Sequence, residues 1–227
     1  MDIALRRVYV WELPVRLYHW INALAVAVLA VTGYMIGRPV SIPLGGEASF
    51  SYFFGWVRFL HFTAAYVFLF NFVFRIYWGF VGNRYARWDN FLPLGRRALR
   101  RQIREAVQVL KVDVLQATTE PMESVGHNAL AGWTYFATFL AFLFQVFTGF
   151  ALYAPMSQSW LPHLFTWVVP LMGGDFAVRQ WHHAMMWVFI VFSMVHVYIV
   201  FYHDYVEGRG VLSSMAGGWK FVEKRNP

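Results

Sequence analysis

Four long apolar runs, at residues 17–36, 56–80, 130–153 and 181–204, set the pattern of this chain. At 1.5 Å of rise per residue each is long enough to cross a hydrocarbon core of about 30 Å as a helix. The segments between them are polar or broken. A short basic lead carries Arg6, Arg7 and Arg16, and the first run stops at Gly37-Arg38-Pro39, a strong helix end. Residues 38–55 form a loop rich in Pro, Gly and Ser. Residues 82–126 are too polar to span, yet Leu99, Ile103, Val107, Leu110 and Val114 recur at helical spacing. That pattern predicts a basic amphipathic helix in the headgroup plane between the second and third spans. Residues 160–172 are apolar but interrupted by Pro162 and Pro170, which predicts a surface or docking segment and not a crossing. The tail, 207–227, is polar and basic. The expected fold is all-α: a four-transmembrane-helix bundle forming one membrane-embedded domain over residues 1–227.

Composition agrees with this reading. Of 227 residues 59% are hydrophobic and only 14% charged, where a soluble domain carries about 25%. Cysteine is absent, which excludes thiolate-held iron–sulfur clusters, covalently attached c-type haem and disulfides within the chain. The first apolar run lacks a small-residue cleavage site and reads as a span, not a cleaved signal. Eleven Trp and twelve Tyr suit interfacial belts. A formal charge of +7 raises the question of nucleic acid. Loops that hold topology explain it better: eight of the nineteen Lys and Arg lie within 82–126, and others in the lead and tail. The positive-inside rule then places both termini and the long basic segment in the cytoplasm.

That orientation sorts the histidines by depth. His182 and His196 lie 14 positions apart on the fourth span. They share a face, roughly 21 Å apart along the axis, near opposite sides of a bilayer. His183 points about 100° away and is the weaker candidate. Ionisable groups at such depth are costly and mark functional sites. His19 enters at the inner level, three residues past Arg16; His61 and His182 enter at the outer level, three past Arg58 and Arg179. The pairs able to share an iron are therefore His61 with His182, and His19 with His196. Paired imidazoles predict two six-coordinate b-type haems, one towards each side. A single zinc or copper ion cannot use two levels so far apart. Gly33, 14 residues from His19, would let a porphyrin approach the backbone; ordinary small-residue packing accounts for it equally well.

Other polar residues are open to two readings each. Arg58 and Arg75 could meet haem propionates or snorkel, with snorkelling favoured for Arg75. His203, beside Asp204, could replace His196, but water contact or proton delivery suits it better. His127 and Asn128 open the third span as a quinone-edge candidate or a simple helix start. His163 is expected in solvent.

The run Trp11-Glu12-Leu13-Pro14-Val15-Arg16-Leu17-Tyr18-His19-Trp20, with Thr32-Gly33-Tyr34-Met35-Ile36-Gly37, resembles the b-type cytochrome subunit of membrane-bound nickel–iron uptake hydrogenases. Arg58-Phe59-Leu60-His61-Phe62, Gly82-Asn83-Arg84-Tyr85, Gly126-His127-Asn128, Thr148-Gly149-Phe150 and Trp181-His182 extend the resemblance over nearly the whole chain. It departs after Tyr198, where Tyr202-His203-Asp204 stands in place of an Arg-Glu-Asp type sequence. The resemblance implies an electron-transfer anchor in the cytoplasmic (inner) membrane. Its partners would be the iron–sulfur small subunit and the large subunit of a hydrogenase on the outer face. It would accept their electrons through haem b and pass them to quinone. The family's ligands fall on the same four histidines. Formate dehydrogenase gamma subunits share the plan, as a cytochrome b561-like module would, and a haem-free anchor or transporter is the rival of another class.

Overall fold

The computed structural model describes residues 5–39, 52–88, 100, 103–105, 107 and 129–223. In chain order these form β1 (Leu5–Tyr9), α1 (Leu13–Gly37), α2 (Phe53–Val81), α3 (Ala129–Tyr153) continued by a 3-10 turn (Ala154–Met156), α4 (Trp160–His163), α5 (Val168–Leu171), α6 (Asp175–Glu207), α7 (Val211–Gly217) and β2 (Trp219–Glu223). Four helices, α1, α2, α3 with its turn, and α6, are long and apolar enough to cross a membrane. Leu24, Phe70 and Met194, on three of these helices, are two-thirds exposed, as side chains solvated by lipid are.

Three helices begin several residues earlier than the apolar pattern suggests, α1 at Leu13, α2 at Phe53 and α6 at Asp175. In α1, Pro14 occupies the first turn, where its missing N–H leaves no hydrogen bond unmade. The start of α6 follows Gly173 and Gly174, whose φ values of 88° and 114° are open to glycine. Asp175 then stands in the first turn, where a carboxylate suits the helix dipole, and pairs with Arg179 at 2.6 Å. The proline-broken run folds as α4 and α5, four residues each, and does not cross. Of the expected amphipathic helix, residues 100, 103–105 and 107 are helical, with Ile103 and Val107 exposed; the remainder lies outside the described residues.

The chain divides into two compact units, and the division cuts each of the four long helices. The first unit comprises 1–18, 74–140 and 196–227. Here β1 and β2 pair antiparallel, Leu5 opposite Glu223 and Tyr9 opposite Trp219, so the two ends of the described chain lie side by side. The Gly218 carbonyl accepts from Val10 and Trp11 amides at 2.8 and 3.1 Å. A Cβ on Gly218 would strike Tyr9 and the Trp11 carbonyl, and its φ is 87°, so glycine is required twice over. The Glu12 carboxylate accepts from Trp78 Nε1 at 3.1 Å and from the Asn83 amide at 2.8 Å, while Asn83 Nδ2 donates to the Val10 carbonyl at 3.0 Å. The lead is thereby tied to the end of α2.

The second unit comprises 19–73 and 141–195. Its four helix segments form a cycle of neighbours. Thr32 of α1 meets His61 of α2. Phe62 and Tyr66 of α2 meet Tyr153 and Phe150 of α3, with ring centroids 4.2 and 5.2 Å apart. Phe142 of α3 stacks on Phe189 of α6 at 5.0 Å. Tyr34 of α1 closes the cycle on Trp187 of α6. In that cycle α2 and α6 are not consecutive; each is flanked by α1 and α3.

Candidate functional site

The second unit holds His61, His182 and His183. His61 Nδ1 lies 2.8 Å from Thr32 Oγ1. His182 Nδ1 lies 2.8 Å from Thr148 Oγ1. Each threonine also bonds back into its own helix: Thr32 Oγ1 to the Val28 carbonyl at 2.6 Å, and Thr148 Oγ1 to the Phe144 carbonyl at 2.7 Å. Both threonines are buried, at 6% and 1% exposure.

The residue after each threonine is glycine, and the histidine ring rests on it. A Cβ on Gly33 would stand 3.3 Å from His61 Cε1 and 3.8 Å from Met186 Sδ. A Cβ on Gly149 would stand 3.0 Å from His182 Cε1. Gly33 therefore gives room to the His61 ring. His183, the weaker candidate, rests in the same way on Gly37, where a Cβ would be 2.9 Å from its ring.

The remaining candidates are placed as follows. His19, in the second unit, is half-buried with its ring edge-on to Trp20 at 5.1 Å. His196, in the first unit, is exposed, and His203 is half-buried against Tyr202. Asp204 accepts from the Leu212 amide at 3.1 Å and so holds the turn into α7. Arg58 is exposed. His163 is exposed, as expected, and its Nε2 lies 3.0 Å from the Ser157 carbonyl. His127 and Asn128 lie outside the described residues. Arg75 departs from expectation: it does not snorkel. It is 2% exposed, donates to the Ala86 carbonyl at 3.0 Å, and lies over the rings of Tyr135, Trp88 and Tyr18. The loop after α2 folds back and supplies the acceptor that a headgroup would otherwise offer.

The donor set fits a haem. His61 and His182 each engage a threonine through Nδ1, which leaves Nε2 as the nitrogen available to iron. Carboxylates and thiolates are absent from this constellation among the described residues, as suits an axial pair of neutral imidazoles. The family model described as prokaryotic cytochrome b561 matches residues 10–218. The chain belongs to that family. Among its relatives is a probable Ni/Fe-hydrogenase B-type cytochrome subunit of Azotobacter vinelandii, 41% identical over 97% of this chain and 91% of the relative. One of the same name from Cupriavidus necator is 40% identical over 96% and 88%. A probable Ni/Fe-hydrogenase 1 B-type cytochrome subunit of Escherichia coli K12 is 36% identical over 93% and 90%. This cytochrome is a multi-pass membrane protein of a family that carries haem b and transfers electrons across membranes.

Sequence reasoning missed Thr32, Thr148 and Gly149 as site residues. The signal was present: Thr-Gly-aromatic occurs at 32–34 and again at 148–150, each near the end of a span opposite a histidine near the start of another. Read one helix at a time, it resembles a helix end.

Proposed function

We propose that this cytochrome anchors a nickel–iron hydrogenase to the prokaryotic inner membrane and carries its electrons to the quinone pool. The relatives' names support the partner, and the absence of cysteine means that iron–sulfur centres belong to another subunit. The single observation that carries the site is the matched anchoring of His61 and His182 through Nδ1 at 2.8 Å. On this reading His61 and His182 hold the outer haem by Nε2. His19 and His196, by their spacing and depth, hold the inner one. Gly33 lets the His61 ring lie close to α1, and Arg58 is a cation for a propionate. Haem iron supplies one-electron chemistry when bound. The protein's residues would hold the ligating nitrogens, exclude water and set the potential. The partner's small and large subunits dock on the outer side, against residues 38–55 and 155–180, of which 38–39, 52–55 and 155–180 are described. On the cytoplasmic side His203, Asp204, His127 and Asn128 edge the quinone and supply its protons.

Purification of the complex with its hydrogenase subunits tests this. The parent complex reduces a quinone analogue with hydrogen and shows a b-type α band. His61→Ala abolishes quinone reduction, while hydrogen oxidation by a soluble dye persists. Full quinone reduction by His61→Ala would remove the outer site from the path.

A further inference from the structure

Each threonine hydroxyl has one proton, and its neighbours decide where that proton goes. Thr148 Oγ1 lies 2.7 Å from the Phe144 carbonyl oxygen, and Thr32 Oγ1 lies 2.6 Å from that of Val28. Carbonyl oxygen only accepts, so both hydroxyl protons point along these bonds. The lone pairs of Oγ1 then face the histidine, and the 2.8 Å contacts require a proton on Nδ1 of His61 and of His182. A proton-free Nδ1 would set two acceptors at hydrogen-bond distance inside a buried site.

We infer that Thr32 and Thr148 are positioning residues that lock His61 and His182 in the Nδ1–H tautomer and polarise them as iron donors. The inference rests on the reading of these two histidines as ligands. A carbonyl, a hydroxyl and an imidazole then form a chain with all donors pointing the same way. An imidazole that donates its Nδ1–H becomes a more basic ligand at Nε2 and favours the ferric state. The device occurs twice, from α1 onto α2 and from α3 onto α6, so both faces of one haem receive the same electronic push. The glycine after each threonine completes it, because the ring edge occupies the space a Cβ would take.

The test uses the full chain with bound haem. Thr148→Val keeps the shape and removes the hydroxyl; Thr148→Ser restores it. Thr148→Val moves the midpoint potential of one haem to more positive values and shifts its low-spin resonance signal. The other haem stays unmoved and reports that the fold is intact. Tenfold in the preference for ferrous over ferric haem reads as about 59 mV in a one-electron couple. Thr148→Ser returns the potential towards the parent, and Thr32→Val repeats the Val result from the other axial side. Loss of that one haem in the Val variant, with retention in the Ser variant, carries the same meaning. Parent-like potentials in both Val variants, or a Ser variant that shifts as far as Val, would overturn the inference. His182→Ala separates the two levels of the argument: if it loses one haem while Thr148→Val is silent, only the tautomer lock falls. If His182→Ala keeps every haem signal, the ligand reading falls as well.

Discussion

Gly149 is the position where one atom has most effect. A Cβ there would meet His182 Cε1 at 3.0 Å, so the ring must shift by a few tenths of an ångström. That shift stretches the 2.8 Å bond to Thr148. At Gly33 the clearance is 3.3 Å, and the next neighbour is the flexible Met186 thioether. The expected order is therefore firm. Gly149→Ala lowers haem retention, by roughly tenfold in affinity as disturbed ligand support does, and Gly33→Ala by less. Pyridine haemochrome assay per mole of purified chain measures both, and equal losses would contradict the stated clearances. Arg75 gives a second residue-scale prediction. Its guanidinium is buried, bonded to the Ala86 carbonyl and faced by three aromatic rings. Arg75→Met removes a desolvated cation–π contact and a charged hydrogen bond, a loss on the order of 2 kcal/mol. A snorkelling arginine would lose almost nothing, so thermal unfolding in detergent separates the two.

At the scale of the elements, the four spans were legible because apolar runs of this length have one common use and the basic residues mark their ends. The same helical rise turns the spacing of the histidines into expected depths, on which the proposed pairing rests. What escaped was anything made by two distant segments. The β1–β2 ribbon pairs residues 5–9 with 219–223, and neither strand alternates cleanly enough to announce itself. The acceptor of Arg75 lies 11 residues away across a turn, and the threonine partner of His61 lies on another helix. Glu12 is a case of the same kind: within the lead it reads as one acid among basic residues. In the fold its Oε2 serves both Trp78 and Asn83 and joins the lead to the end of α2. Glu12→Ala leaves two donors without their acceptor, at about 1–3 kcal/mol for each that stays buried. Glu12→Gln keeps one oxygen and costs less. The expected result is a lower melting temperature and faster proteolysis of the lead in Glu12→Ala, with Glu12→Gln between it and the parent. Identical behaviour of Ala and parent would mean that the lead is held by the ribbon alone.

For the molecule as a whole, the decisive question is which side of the membrane each end faces, because the direction of electron flow follows from it. The pairing of β1 with β2 brings both ends of the described chain together, as an even number of spans allows. By the positive-inside rule, the surplus of Lys and Arg in the lead, the 82–126 segment and the tail leads us to expect that side in the cytoplasm. The absence of cysteine turns this into a clean measurement, since any thiol introduced is the only one to react. Ser159, between the third span and α4, and Ser213, in α7, are both exposed. In intact cells with a permeable outer envelope, Ser159→Cys reacts with a membrane-impermeant maleimide and Ser213→Cys does not. After the inner membrane is opened, both react. The reversed pattern would turn the chain over, place the His61–His182 level towards the cytoplasm, and require the hydrogen-oxidising partner to dock on that side.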